Sequence, residues 1–563
     1  MASPSELSQP GQNQPPRIVI LGGGYGGIYT ALKLQKAARR GQIQLDLVSQ
    51  ENFFLSQPML SEVVSGSIEP THILNPIRRL LPHANFHQAE IQSVDTESRS
   101  VAVRYLGDQG QSRDIAYDYL LIAVGSSTDL TRLPGMAEHA FPFKTLGDAF
   151  RLRNHLIGVL EAAEVESDPE EKTELLTFVV AGGGYTGVEV AAEINEFIRE
   201  AAKSYRHIDA EETKVILLHS GSRILPILND SLAGFSQGVL IRRGVEVRVN
   251  TRIRAATAQS AIQTDGTIIP TRTLVAALGA APNRLLAHVP GTRDPSGRLV
   301  VDETLSVPED PRVWAVGDCA AVPDLRKGGT CPPTAQFALR QAGHVARNIL
   351  ATIRGQPLKP FSYRSMGVFV PLGRFSGAAE VLGFQVSGFL AWWLYRTFYL
   401  YQLPRLERKL RVVIDWTLEL FFHRDIVQLD LTKSEGITGA HYEPGEIIFT
   451  EGELARNFYT ILKGQVEVIR RRNGEEVTVA TLGPGEYFGE IALLTGIRRN
   501  ASIRALSPVD LLVMDGGDFK ALAASLTNLG ETLGDVMRRR ISDGGPRFSP
   551  DWDADSPRHP QGD

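Results

Sequence analysis

The sequence predicts an α/β fold of two doubly wound modules, followed by a small jelly-roll-like β-barrel, on three observations. A short apolar run enters a glycine-rich turn and continues into an alanine-rich amphipathic stretch near residue 22, and the same order returns near residue 182. That is the strand, tight turn and helix of a βαβ unit, written twice. From about residue 431 the texture changes to short alternating segments such as GEIIFTEG and FYTILKGQVEVIRRR, punctuated by Gly and Pro, as in a small barrel. With 563 residues the chain is also too long for one hydrophobic core, so several domains are required.

Composition narrows the function classes. The 43% apolar and 22% charged fractions are ordinary for a globular protein. A formal net charge of −5 gives no reason to expect nucleic acid as a partner. Cys319 and Cys331 are the only cysteines, with neither a disulfide framework nor CxxC or metal-ligand spacing. No metal site is expected, the compartment reads as reducing, and the hard chemistry must come from a bound cofactor. The stretch MASPSELSQPGQNQPP has no positive charge and no apolar core, and reads as a disordered leader, 1–16.

In RIVILGGGYGGIYTALKL, Gly22, Gly24 and Gly27 stand at GxGxxG spacing directly after a strand. The first glycine permits the tight turn, the second lets backbone N–H groups approach a pyrophosphate, and the third lets the helix pack closely. A ribose-binding acid is expected about 20 residues further on. Glu51, just past the strand LDLVS, is either that acid or a solvated loop charge. TFVVAGGGYTGVEVAAEI repeats the motif at Gly182, Gly184 and Gly187. After its next strand, KVILLHSG, the acid's position is taken by His219, with Arg223 close by. A carboxylate there would repel a 2′-phosphate, so its absence leaves NADPH open beside NADH. Glu189, near the start of this second helix, is either a favourable charge at a helix N-terminus or a group at the nicotinamide contact.

The strand PRVWAVGDCAA ends in Gly317-Asp318. A buried Asp needs donors, and polyol hydroxyls supply them; the alternative is a cap on the next helix. With both glycine turns, this arrangement resembles the two-dinucleotide flavoprotein reductases. The resemblance implies two Rossmann-like domains, FAD held partly through Asp318, and a crossing strand YDYLLIAVG with Gly125. Over approximately residues 17–430 the chain resembles the type II NADH:quinone oxidoreductases in particular. ENFFLSQPMLSEVVSG is similar to that family's segment after the second flavin-domain strand. FPFKTLGDAFRLRNHL is similar to its approach to the nicotinamide domain, with Lys144 at the matching lysine. CPPTAQFALRQAGHVARNI is similar to the segment beside flavin and quinone. There Gln336 matches the first glutamine, while Arg340 replaces the second and Gln341 follows it. The substitution puts a cation where an uncharged amide usually lies. Sulfide:quinone oxidoreductases share this architecture but use a redox-active cysteine pair, and both cysteines here are expected to be structural.

Residues 386–422 hold Trp392, Trp393 and Trp416 among many aromatics. Arg396 interrupts the only long apolar run and Pro404 ends it, so a spanning helix is not expected. Tryptophans with Arg405, Arg408, Lys409 and Arg411 suit a membrane surface, and the resemblance implies a peripheral anchor on the cytoplasmic side of the membrane. The alternative is a domain-packing helix pair or a homodimer interface.

Residues 436–535 resemble a cyclic-nucleotide-binding domain, with FGEIALLTGIRRNASI as its phosphate cassette. The resemblance implies that Gly489 opens the cassette, Glu490 takes the ribose 2′-hydroxyl, Arg499 the cyclic phosphate and Ser502 a phosphate oxygen. A guanidinium matches a phosphate in bidentate fashion. Cyclic AMP or cyclic GMP is the expected effector.

The expected order is leader 1–16, FAD-binding domain 17–150 and 291–350, and NAD(P)H-binding domain 151–290. A membrane-surface helical segment 351–430, a barrel 431–540 and a disordered tail 541–563 follow. The expected activity is transfer of a hydride from NAD(P)H to FAD and then of two electrons to a quinone. The alternatives are a soluble FAD-dependent reductase with another acceptor, and a catalytically weak redox and cyclic-nucleotide sensor.

Overall fold

Strand Arg17–Leu21 is the pivot of the first sheet in the computed structural model of the chain, which describes residues 15–106, 111–279, 281–365, 367–428, 437–472, 475–495, 498–516 and 519. Most of the expected leader, and the whole expected tail, lie outside the described residues. Ile18, Val19, Ile20 and Leu21 are all buried, as a strand covered on both faces requires. It pairs in parallel with Gln44–Ser49 on one side and Tyr119–Ile122 on the other, with Leu21 level with Val48 and with Ile122. Asp310–Ala315 joins in parallel beyond Tyr119–Ile122, and Asn85–Asp95 beyond Gln44–Ser49. An antiparallel meander through Ser100–Tyr105 and Ser112–Ala116 completes one side, and Ser306–Val307 the other. Level strand ends put the first glycine turn at the carboxyl edge of the sheet, where open α/β sheets bind ligands.

The second sheet is parallel throughout, in the order Ala140–Pro142, Thr273–Ala276, Thr177–Ala181, Lys214–Leu218, Val245–Arg248. Its edge strand comes from before residue 151, the expected start of this domain. Pattern alone missed it because three residues show no periodicity, and only pairing with Thr273–Ala276 identifies the strand. After residue 351 the expectation of a purely helical segment is corrected. A three-stranded antiparallel sheet, Gly367–Pro371, Gly377–Val381 and Phe384–Ser387, precedes helices Phe389–Gln402 and Leu406–Leu418. Among the described residues no helix is long and apolar enough to cross a membrane.

The chain divides into two compact units. One comprises Met1–Leu130, Ala140–Arg254 and Ala261–Leu429, and the other Thr131–His139, Ala255–Ser260 and Asp430–Asp563. The second unit holds two four-stranded antiparallel sheets around a core that includes Tyr442, Tyr459, Ile461 and Phe488. This is the jelly-roll-like barrel, two antiparallel sheets packed on one core.

Candidate functional site

The first glycine turn is built for a close approach. Gly22 has φ +110°, and a Cβ there would lie 2.3 Å from the Ala123 carbonyl oxygen. A Cβ on Gly27 would lie 1.9 Å from the Gly22 carbonyl oxygen, so the helix Tyr25–Arg39 can sit this near the turn only without one. Gly24 has no neighbour within 4 Å of where its Cβ would be, which leaves space in front of the helix N-terminus for a pyrophosphate. The second turn repeats the geometry. Gly182 has φ +121°, Gly187 is pressed against the Gly182 carbonyl, and Gly184 faces open space. Both cradles therefore fit a dinucleotide.

Asp318 lies in a short 3-10 turn after strand Asp310–Ala315. It lines a cavity of about 340 Å³ with Ser126, Pro282, Arg298, Thr330 and Cys331. Its Oδ2 accepts a hydrogen bond from Ser126 Oγ at 3.0 Å, and that hydroxyl accepts one from Lys144 Nζ at 2.5 Å. Burial lowers the Lys144 pKa, with Asp318 acting against it. Gly317, at φ +78°, donates its N–H to Gln341 Oε1 at 2.8 Å. Gly125, at φ +67°, precedes Ser126. The sequence reading missed Ser126, although it follows the quoted YDYLLIAVG directly.

Gln336 and Arg340 do not converge. Gln336 is tied to the later sheet, accepting from Ser365 Oγ at 2.8 Å and donating to the Gly367 carbonyl at 3.4 Å. Arg340 is exposed, its guanidinium 5.3 Å from the Tyr363 ring centroid. The buried amide beside it is Gln341. The cation thus lies on the outer face of helix Ala335–Ile353, because neighbouring helical positions point about 100° apart.

At the second turn, His219 Nδ1 accepts the Gly183 N–H at 3.2 Å, and burial lowers the His219 pKa, with the Arg223 backbone acting against it. Arg223 is paired with Asp230 and donates to the Pro226 carbonyl at 3.2 Å. Glu51 is exposed. Glu189 is half-buried, and desolvation, with Glu62 and Glu193 nearby, pushes its carboxyl well above the usual range. Cys319 and Cys331 are free and buried; burial pushes each thiol up to about 11, as expected of structural cysteines.

In the aromatic segment Arg396 interrupts the apolar run as expected, and the structure shows where it goes: it is buried, with its guanidinium 4.2 Å from the Trp392 ring and 4.6 Å from the Trp416 ring. It bonds Glu62 at 3.1 Å and Glu419 at 3.0 Å. Two of the three tryptophans therefore pack inside, and Trp393 alone of them is exposed. Leu390, Leu410, Ile414, Phe421 and Phe422 are exposed with it. The charge requirement explains the inward turn, since Glu62 and Glu419 are buried and need a cation. An isolated Glu amid the apolar run LSEVV was the available signal for Glu62.

In the barrel, Arg499 is buried and donates to the Gly489 carbonyl and the Asn457 carbonyl, each at 2.7 Å, with its guanidinium 4.0 Å from the Phe449 ring. Glu490 is buried at the start of helix Glu490–Thr495. Ser502 Oγ accepts the Glu451 N–H at 2.9 Å. Among the described residues no cluster of His, Cys, Asp and Glu could hold a metal ion.

The pyridine nucleotide-disulphide oxidoreductase profile matches residues 16–342, and the cyclic nucleotide-binding domain profile matches residues 440–525. The type II NADH:quinone oxidoreductase Ndh of Mycobacterium tuberculosis is 31% identical over 448 residues, 76% of this chain and 94% of that protein. The demethylphylloquinone reductase NdbB of Synechocystis is 31% identical over 409 residues, 71% of this chain and 95% of that protein. The structure of NDH2 from Plasmodium falciparum in complex with NADH covers 74% of this chain and 100% of its own, with a TM-score of 0.69 at 21% identity, a likeness of fold. The chain belongs to the pyridine nucleotide-disulphide oxidoreductases, in the branch of the type II NADH dehydrogenases, and carries a cyclic nucleotide-binding domain behind that module.

Proposed function

We propose that this chain oxidises NADH and reduces a quinone at a membrane surface, with NADPH as a second donor. The observation that carries the reading is the pair of open glycine cradles, each at the level carboxyl edge of parallel strands in its own sheet. The relatives' names supply the acceptor. FAD bound in the first cradle would supply the two-electron carrier between nicotinamide and quinone. The turn after Leu21 would hold its pyrophosphate, and Asp318, oriented by Ser126, its ribitol. The turn after Ala181 would hold the nicotinamide dinucleotide. Lys144 donates to Ser126, whose hydroxyl donates to Asp318, and Gln341 holds the Gly317 backbone in the conformation that aims Asp318. The chain's own work is mostly positioning and exclusion of water.

The exposed apolar side chains of 389–422 support peripheral membrane contact. Arg499 and Glu490 in the matched barrel support a cyclic nucleotide as effector. Steady-state turnover with NADH and NADPH, each with and without a short-chain quinone, tests the reading. Quinone-dependent oxidation of NADH is expected, and its absence from flavin-loaded protein would refute the assignment.

A further inference from the structure

Helix Tyr185–Ala201 carries Glu189, Glu193, Glu196 and Glu200. Spacings of four, three and four residues put all of them on one face, over a rise of about 16 Å. Glu193 is buried, while the Glu196 and Glu200 side chains are each 23% exposed. Arg424 spans the outer three, at 3.9 Å from Glu193, 3.7 Å from Glu196 and 3.8 Å from Glu200. Its firmest bond, 2.8 Å, goes to Glu419. Exposed His423 lies 3.4 Å from Glu200. Ionisable groups thus run from the surface at His423 to the start of the helix that follows the second glycine turn.

A purely structural ion-pair network would hydrogen-bond its buried carboxylates. Glu193 Oε2 has no hydrogen-bond partner, an arrangement costly for an anion and tolerable for an acid that keeps its proton. Burial pushes the Glu193 carboxyl up to about 8; Arg424 opposes this, Glu196 and Glu62 reinforce it, and a hydrogen bond with Ser65 lowers it. The other charged and titratable groups around the ladder are Glu419, Arg396 and Tyr395 from the C-terminal helices and Arg243 beside Glu196. Tyr185 and Tyr399 lie near Glu189. Glu419 is the opposite case: burial would raise its carboxyl, but Arg396 and Arg424 hold it below the usual range. The two carboxyls therefore differ although both face the Arg424 guanidinium.

The assigned reaction consumes a proton. NADH gives up a hydride, which carries two electrons and one proton; the quinone gains two electrons and two protons; the second proton comes from solvent. We propose that Glu200, Glu196, Glu193 and Glu189 form the route by which that proton enters, with Glu193 as its buried relay. The inference rests on the quinone reading. Glu193 hands a proton towards Glu189 and recovers one from Glu196, which draws on solvent through Glu200 and His423. Neighbouring carboxyls one helical turn apart are close enough for a side-chain rotation or one water to bridge them.

The test compares flavin-loaded, full-length wild type and Glu193→Gln with two acceptors: a short-chain quinone and ferricyanide, which takes electrons but no protons. Quinone turnover of the variant should fall at least about tenfold, towards the size of an acid–base contribution, while ferricyanide turnover is retained. Wild-type quinone turnover should decline as pH rises through about 8, where Glu193 loses its proton, and the infrared band of a protonated carboxyl should disappear in the variant. Equal losses with both acceptors, or undiminished quinone turnover, would overturn the relay alone. A wild type that reduces ferricyanide but no quinone overturns the assigned reaction and the relay with it. Should Glu193→Gln fail to retain flavin, the wild type decides: quinone turnover flat between about pH 7 and pH 9 overturns the relay.

Discussion

Ser126 donates its hydroxyl to Asp318 Oδ2 at 3.0 Å, so the carboxylate on the cavity wall is aimed by a side chain from a different strand of the crossover. Ser126 Oγ in turn accepts from Lys144 Nζ at 2.5 Å. A carboxylate so placed keeps lone pairs for a polyol.

Asp318→Ala should therefore abolish retention of FAD, because the ribitol loses its acceptor. Ser126→Ala should cost only about 1 kcal/mol of stability, the net value of one hydrogen bond. FAD released per chain on denaturation measures the first and thermal unfolding the second. Full flavin content in Asp318→Ala would exclude the role given to it.

His219→Glu should move the preference from NADPH towards NADH by about tenfold or more in kcat/KM, roughly 1.4 kcal/mol. A carboxylate at this strand end would accept from the ribose 2′-hydroxyl and repel a 2′-phosphate. It would also have to replace the imidazole as acceptor of the Gly183 N–H. The ratio of the two specificity constants is the measurement, and an unchanged ratio would count against His219.

Removing the Arg396 charge, as in Arg396→Met, should destabilise the first unit by about 3–5 kcal/mol, the usual effect of breaking a buried ion pair. Glu62 and Glu419 would be left buried with less cation between them. Thermal denaturation reads the loss, and adding Glu62→Gln should recover part of it.

Glu138 makes the second unit sensitive to pH. Its carboxyl lies 3.4 Å from the Tyr459 hydroxyl, and burial pushes its pKa from 4.5 to about 7. Between those values the unfolded chain has released a proton that the folded chain keeps, so stability is complete below about pH 4.5 and declines as pH rises through 7. The shift corresponds to at most about 3 kcal/mol. Glu138→Gln should flatten that decline, as followed by denaturant midpoints across the range. His139, pushed down to about 3 by burial with Arg456 and Arg499 nearby, acts in the opposite direction, with stability lost as pH falls below about 6.5.

Arg499→Ala should lose cyclic-nucleotide affinity by about 2–3 kcal/mol, the scale of a charge-assisted contact. Calorimetry with cyclic AMP and cyclic GMP reads it directly. Arg499 already donates to the Gly489 and Asn457 carbonyls, so the substitution should also lower barrel stability, and unfolding must be followed in parallel.

Local pattern was enough to place both glycine turns, the crossing strand, Gly317-Asp318 and the change to a barrel, because each depends on a few neighbouring residues with a strict backbone requirement. Gly22 and Gly182 could be read from the chain for that reason: a Cβ at either would strike a carbonyl. Periodicity could not say which way a lone arginine faces. Arg396 does break the apolar run, but its inward turn is decided by Glu62, which is 334 residues away in sequence. Arg340 and Gln341 are neighbours in the chain, but the packing of one helix put the cation outside and the amide on Gly317. The glutamates of helix Tyr185–Ala201 were visible as letters at helical spacing, but which of them holds a proton depends on Arg424 and Glu62. Charge burial is a property of the assembled fold, since desolvation and pairing arise only when distant segments close over the same group.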